Sequence, residues 1–277
     1  MTDPVTYFEA VILGIVQGLT EFLPISSTAH LRIVPALFGW ADPGAAFTAV
    51  VQLGTMAAVV IFFWRDLLRI ASAWLRSLVR AELRGTLDAR MGWYIIIGTI
   101  PVAVLGLAFK DQIETGARDL RIIGWVLILF GIGLWLVDKV FPQRKTVDDL
   151  GLRDGILYGL AQSLALIPGV SRSGATITAG RAMSYTRESA ARFSFLLSVP
   201  AVVLSGLFEA RKIGDAGSVG IGPTVVATIA AFIVGYATIA WLLRWLTSHS
   251  MLVFAVYRVA LGALVLALVY GGHLAAT

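Results

Sequence analysis

Residues 17–30 read Gln17-Gly18-Leu19-Thr20-Glu21-Phe22-Leu23-Pro24-Ile25-Ser26-Ser27-Thr28-Ala29-His30. From Glu21 to His30 this stretch gathers a carboxylate, three hydroxyls and an imidazole, between the mostly apolar runs 11–16 and 31–38. Those flanks belong in lipid. An ionisable side chain at membrane depth costs roughly 2.5 to 3.5 kcal/mol on insertion scales, so a cluster of them marks a functional site.

Upstream, either Asp3-Pro4 or a Thr6/Glu9 capping box offers a helix start, and the helix is expected over about 8–22, stopping before Pro24. At ~1.5 Å per residue such an arm falls short of a hydrocarbon core of ~30 Å. Downstream, a second short arm runs to Phe38, is interrupted by Arg32 and Pro35, and ends at Gly39. Two short arms around a polar bend describe a re-entrant hairpin over about 8–38. Such a bend is tolerated at membrane depth only where protein or a water-filled cavity surrounds it. The alternative is one long, kinked spanning helix.

A second interrupted segment covers about 155–183, with the bend Pro168-Gly169-Val170-Ser171-Arg172-Ser173-Gly174. Setting Pro24 against Pro168 aligns Ser27 with Ser171, while Gln17 meets Gln162 only after a one-residue shift. The run Ile100-Pro101-Val102-Ala103-Val104-Leu105-Gly106 is echoed by Val199-Pro200-Ala201-Val202-Val203-Leu204-Ser205-Gly206. Taken together these echoes predict an internal duplication with broken helices in corresponding places and a site where the repeats meet.

The remaining composition agrees with lipid as the solvent. The chain of 277 residues is 58% hydrophobic and 14% charged, with mean hydropathy +0.83, against about 25% charged for soluble domains. Apolar runs at 45–64, 91–109, 122–140, 193–208, 225–246 and 252–270 give six spans. The expected fold is therefore an all-α polytopic membrane protein, six transmembrane helices plus two re-entrant hairpins in an inverted repeat, forming a single domain over 1–277. Residues 65–90 carry six arginines interleaved with Leu68, Trp74, Leu75, Leu78 and Val79, so part of this connection is expected to lie amphipathically on the membrane surface. A net charge of +5 does not indicate a nucleic-acid partner, because the cations flank apolar runs and read as topology signals. Cysteine is absent, which removes disulfides and thiolate chemistry. Met1-Thr2-Asp3-Pro4 lacks a basic n-region, so no cleavable signal peptide is expected.

Basic residues also assign the sides. Placing the N-terminus outside puts Arg65, Arg69, Arg76, Arg80, Arg84, Arg90, Lys139, Arg144, Lys145, Arg153, Arg181, Arg187, Arg192 and Arg244 on inner segments. Only Lys110, Arg118, Arg121, Arg211 and Lys212 then lie outside, a positive-inside bias. The first hairpin accordingly enters from the outer face, and access to its residues is expected from the extracytoplasmic side.

The side chains of the two bends suit an anion. Arg172 offers a planar fork of donors that matches phosphate. Helix N-termini near Ser26 and Ser173 add unpaired N–H groups and positive dipole ends, and Gly169 and Gly174 allow close backbone approach. Ser26, Thr28, Ser171, Ser173, Gly174 and Gln17 are the candidate binding groups. Ser27 is the best hydroxyl nucleophile, three positions before His30. His30 serves as acid, base, nucleophile or structural donor, and Glu21 can hold a divalent cation with substrate phosphates or orient a water. A bland alternative pairs Arg172 with Glu21 as a structural ion pair and leaves the serines as helix caps. Arg258, inside the last span, either snorkels or reaches the site.

Gln17-x-x-x-Glu21 followed by Pro24-Ile25-Ser26-Ser27-Thr28-Ala29-His30, and later Pro168-Gly169-Val170-Ser171-Arg172-Ser173-Gly174, resembles the bacitracin-resistance type of undecaprenyl-diphosphate phosphatase over nearly the whole chain. The resemblance implies removal of the terminal phosphate from a polyprenyl diphosphate lipid in the bacterial cytoplasmic (inner) membrane, regenerating the lipid carrier for cell-wall polymers. It matches Glu21, Ser27, His30 and Arg172 to the family's motif positions, and it implies a divalent cation, Mg or Ca. Many members carry Glu where Gln17 stands. The competing class is a transporter or flippase for polyprenyl phosphate or a small anion, since inverted repeats with broken helices are typical of carriers. Oligomeric state is not encoded in these motifs.

Overall fold

The computed structural model describes residues 5–109, 119–210 and 219–276. Met1–Pro4 and the expected outer cations Lys110, Arg118, Arg211 and Lys212 lie outside them. The described residues form eleven α-helices: α1 (Tyr7–Thr20), α2 (Ser27–Phe38), α3 (Gly44–Phe62), α4 (Trp64–Val79), α5 (Leu87–Ala108), α6 (Leu120–Val140), α7 (Leu152–Ser163), α8 (Arg172–Ala182), α9 (Arg187–Ala210), α10 (Ile221–Leu246) and α11 (Leu252–Tyr270). There is no strand among them beyond one isolated bridge, Lys145 with Tyr185. Local chemistry sets the first helix. The Thr6 side chain accepts from Glu9 N at 3.2 Å while Thr6 N donates to Glu9 Oε2 at 2.7 Å, a full capping box.

Four helices, α5, α6, α10 and α11, are long and apolar enough to cross a bilayer. A fifth span is added if the bent pair α3 and α4, 75° apart, counts as one. The chain is thus a multi-pass membrane protein. Helix α9 has 24 residues; Arg187, Glu188 and Arg192 fall in its first six, and the apolar run 193–208 follows them. Helix α4 leaves Trp64, Leu68, Leu75, Leu78 and Val79 exposed among its arginines, as expected for a surface-lying segment. Several helices start two to six residues before the apolar runs: α5 at Leu87, α6 at Leu120, α9 at Arg187, α10 at Ile221. Apolar residues mark the buried length, and the helical hydrogen-bond ladder continues past it into polar sequence.

Ion pairs define one end of the bundle. Asp138 near the end of α6 accepts from Arg181 of α8 at 2.9 Å, from Arg187 of α9 at 2.8 Å and from Met251 N ahead of α11 at 3.0 Å. Arg192 of α9 meets Asp66 at 2.5 Å, and Arg69 meets Asp88 of α5 at 3.0 Å. Asp154 in the first turn of α7 accepts from Tyr185 at 2.7 Å. Burial and that carboxylate together push the Tyr185 hydroxyl well above the usual phenol range. So α7 starts at this end. Helix α1 starts at the other: Phe8 packs edge-on against Trp40 at 6.4 Å, and the Tyr7 hydroxyl lies against Gly222 in the first turn of α10. The pairs α1–α2 and α7–α8 each fold back on themselves, and they do so from opposite ends.

A constant offset of 145 residues relates the two hairpins. It pairs Glu9 with Asp154 as first-turn acidic caps, Gln17 with Gln162, Ser26 with Ser171, and Ser27 with Arg172. It also pairs Gly14 with Gly159. A Cβ on Gly14 would stand 2.4 Å from the Ala227 carbonyl oxygen of α10, and one on Gly159 would stand 2.5 Å from Gly98 Cα of α5. Both hairpins thus lean on a long helix through backbone contact at the same position. Two expectations change. The alignment of Pro24 on Pro168 is one residue out, so Ser171 matches Ser26 rather than Ser27. The Pro101/Pro200 echo lies outside the repeat, because α5 and α9 both run away from the Asp138 end, whereas repeat-related elements run in opposite directions. The aromatic core beside the junction is Phe22, Phe63, Tyr158, Phe193 and Phe195, all buried.

Candidate active site

Both bends end in a serine with a left-handed backbone, Ser26 at φ +75° and Ser171 at φ +72°. Such conformations cost a non-glycine residue about 1–3 kcal/mol and persist where surrounding contacts hold them. Here the contacts are matching caps. Ser26 Oγ accepts from Ala29 N at 3.4 Å and lies 3.2 Å from Thr28 Oγ1. Ser171 Oγ accepts from Gly174 N at 3.0 Å and lies 3.1 Å from Ser173 Oγ. Ser173 then donates to the Leu23 carbonyl at 3.0 Å, tying one bend to the other. The N-termini of α2 and α8, with their positive dipole ends, therefore meet at one junction.

Glu21 occupies that junction and is buried. Its Oε2 accepts from Gln17 Nε2 at 2.8 Å and from Ser27 Oγ at 2.7 Å. Its Oε1 accepts from Gln52 Nε2 of α3 at 3.0 Å and pairs with the Arg172 guanidinium. Four donors from four helices thus converge on one carboxylate. Ser27 and Arg172 are partly accessible, and Thr28 is exposed beside them. Gln17 Oε1 is buried without a partner.

His30 is engaged at both nitrogens. Nδ1 donates to the Ser26 carbonyl at 2.7 Å, which leaves the Nε2 lone pair to accept from the Tyr257 hydroxyl at 2.7 Å. The two rings are stacked 5.6 Å apart. No hydrogen bond joins Ser27 to His30: the serine hydroxyl turns to Glu21 instead. The bend is sharp at Ser26, so Ser27 and His30 sit within one helical turn yet face different partners. Arg258 does not snorkel. It is fully buried, and its guanidinium donates to the Pro24, Gly169 and Val170 carbonyls, each at 3.0 Å.

The structure brings together every residue singled out from the sequence, and the bland alternative is also present in its parts, since Arg172 does pair with Glu21 and the serines do cap helices. It adds Gln52 and Tyr257. Gln52 had a signal, a lone amide inside an apolar run. Tyr257 had none beyond its neighbour Arg258. A divalent cation is a poor fit to the chain alone. No group of three or more His, Asp or Glu side chains gathers among the described residues, and both Glu21 oxygens already receive two donors each, one of them a guanidinium. A separate cleft at the Asp138 end is lined by Asp66, Arg69, Glu188 and Arg192; Asp66 there is neutralised by Arg69 and Arg192.

The chain is 57% identical over 273 residues to an undecaprenyl-diphosphatase of Nocardioides sp., covering 98% of this chain and all of the relative. It is 56% identical over 281 residues to undecaprenyl-diphosphatase 2 of Frankia casuarinae, covering 97% and 96%. It is 54% identical over 276 residues to an undecaprenyl-diphosphatase of Micrococcus luteus, covering 98% and 100%. A family model described as bacitracin resistance protein BacA matches residues 10–264, which contain both bends and every donor to Glu21. The chain belongs to the bacitracin resistance protein BacA family.

Proposed function

We propose that this chain hydrolyses undecaprenyl diphosphate to undecaprenyl phosphate and inorganic phosphate, recycling the lipid carrier for cell-wall synthesis. One observation carries the reading: Ser27 Oγ donates to Glu21 Oε2 at 2.7 Å at a junction of two helix N-termini and a guanidinium. A hydroxyl on a carboxylate is a nucleophile beside its base, and the positive groups around it select phosphate. Identity above 50% to diphosphatases over the full chain supports the same substrate.

In this mechanism the diphosphate takes Arg172 from Glu21, and Arg172 and the first N–H groups of α2 and α8 hold its oxygens. Ser27 Oγ attacks the terminal phosphorus in line, its proton passes to Glu21 Oε2, and the bridging P–O bond breaks to release undecaprenyl phosphate. Water then attacks the serine-bound phosphorus, the P–Oγ bond breaks, and the proton returns to Ser27 from Glu21. His30 remains as the acceptor of the water proton through Nε2, once Tyr257 turns away. Gln17 and Gln52 keep the carboxylate in register, while Ser26, Thr28, Ser171, Ser173 and Gly174 shape the phosphate seat. For a Mg or Ca ion the chain alone would offer a single carboxylate, Glu21, which is already paired with Arg172.

The same reading places six spans, α3, α5, α6, α9, α10 and α11, across the bacterial inner membrane, with both hairpins re-entrant and the bends near the midplane. The site then faces the extracytoplasmic side through the first hairpin. A carrier with this inverted repeat is the competing reading. Detergent-purified protein given undecaprenyl diphosphate should release phosphate and lose that activity as Ser27→Ala; a well-folded protein that releases none would overturn the enzymatic reading.

A further inference from the structure

Arg258 is the largest polar group the mechanism leaves unused, and its surroundings are unusual. It is fully buried on α11, and its hydrogen-bond partners are all backbone carbonyls: Pro24 through Nη1 at 3.0 Å, Gly169 and Val170 through Nη2 at 3.0 Å, and Leu127 through Nε at 3.4 Å. No carboxylate is among them. A desolvated cation kept without a counter-ion is costly, so its retention asks for a reason. The identity of the partners supplies one. Pro24 and Gly169 are 145 residues apart, the same offset that relates Ser26 to Ser171 and Ser27 to Arg172. One guanidinium therefore holds the equivalent carbonyl of each bend, from a third element.

We infer that Arg258 is a positioning residue that locks the two bends in mutual register and so sets Ser27 and Arg172 on opposite oxygens of Glu21. The planar fork reaches these carbonyls from two separate nitrogens, whereas an ammonium keeps the charge but sends all three of its donors from one nitrogen. The packing leaves the fork no room to wander. A Cβ on Gly174, in the first turn of α8, would stand 2.8 Å from Arg258 Nη1, and one on Gly131 of α6 would stand 3.0 Å from Arg258 Cβ. Because Ser27 comes from one bend and Arg172 from the other, a slip between bends misaligns attack without removing any group that touches phosphate. The signature is a loss in kcat with KM held.

This inference rests on the diphosphatase reading, and the test separates the two. Phosphate release from undecaprenyl diphosphate is measured in detergent for wild type, Arg258→Lys and Gly131→Ala, with thermal unfolding of each protein. Wild type that releases no phosphate sinks the functional reading itself. With wild type active, Arg258→Lys should lose about tenfold or more in kcat with KM within about threefold. Gly131→Ala, which shifts the arginine stem while keeping the guanidinium, should lose severalfold in kcat with KM unchanged. Unchanged kcat in Arg258→Lys overturns the inference, and a rise in KM alone reassigns Arg258 to phosphate attraction and equally overturns it. If Arg258→Lys fails to fold, Gly131→Ala decides, and wild-type kcat there rejects the positioning role.

Discussion

Ser27 and Arg172 occupy the same position in two oppositely directed hairpins, and they engage opposite oxygens of the same carboxylate, Glu21 Oε2 and Oε1. Two helix N-termini of matching geometry thus carry different side chains at one position, a hydroxyl on one and a cationic fork on the other. Neither half holds the site alone.

The fork should not be replaceable by charge. In Arg172→Lys the positive charge stays but bidentate contact to phosphate is lost, and turnover is expected to fall by more than about tenfold, or ~1.4 kcal/mol of transition-state stabilisation. Steady-state phosphate release by a folded variant measures this. Near-wild-type turnover would remove the bidentate role.

Ser27→Ala and His30→Ala separate the proton path. Since Ser27 turns to Glu21, both Ser27→Ala and Glu21→Gln should lose at least about a hundredfold, the lower range for a removed general base. His30→Ala should retain more activity than either and should still form the serine-bound phosphate. Rapid quenching with labelled substrate checks this; label trapped on His30 in the Ser27 variant would move the nucleophile.

Gln17→Glu tests the carboxylate's company. It would put a second negative charge where Gln17 Nε2 now donates to Glu21 at 2.8 Å, and like charges at that range oppose joint ionisation unless a cation intervenes. Activity of Gln17→Glu should therefore fall more steeply on chelation by EDTA than wild type does. Identical chelator profiles would count against this view of Glu21.

How much of this was legible in the sequence depends on distance along the chain. The bends announce themselves because Glu21 and Ser26 to Thr28, and Ser171 to Ser173, are polar clusters inside apolar runs, a pattern local enough to read. Register was harder. Pro24 and Pro168 look like matching punctuation, yet Pro24 pairs with Gly169 in the structure, since both bends turn at the serine that follows rather than at the proline. Gln52 and Tyr257 reach Glu21 and His30 from α3 and α11, and contacts between elements so far apart leave no trace in spacing. The apolar run 193–208 announces α9 as a span, but its start at Arg187 is hidden, because Arg187 and Arg192 are neutralised by Asp138 and Asp66, partners that only folding brings near.

Gly159→Ala probes the lean of the second hairpin on α5. The added Cβ would meet Gly98 Cα at 2.5 Å, backbone against backbone, where no side chain can rotate aside. Overpacking of this kind costs about 1–3 kcal/mol, so a lower unfolding temperature in detergent is expected. Gly14→Ala, its repeat mate against Ala227, should behave alike. A difference in sign between the two would contradict the equivalence of the hairpins.

The last prediction concerns sidedness. Ser72, exposed on α4, reports the Asp138 end; His273, exposed just beyond α11, reports the opposite end. Because α4 and its neighbourhood carry Arg65, Arg69, Arg76, Arg80, Arg84 and Arg90, the positive-inside bias predicts the Asp138 end to be cytoplasmic. In this cysteine-free chain each site can carry the only thiol. An impermeant maleimide on intact cells should label His273→Cys and spare Ser72→Cys until the membrane is opened. The reverse pattern would turn the protein over, bring the first hairpin in from the cytoplasm, and move access to Ser27 to that side.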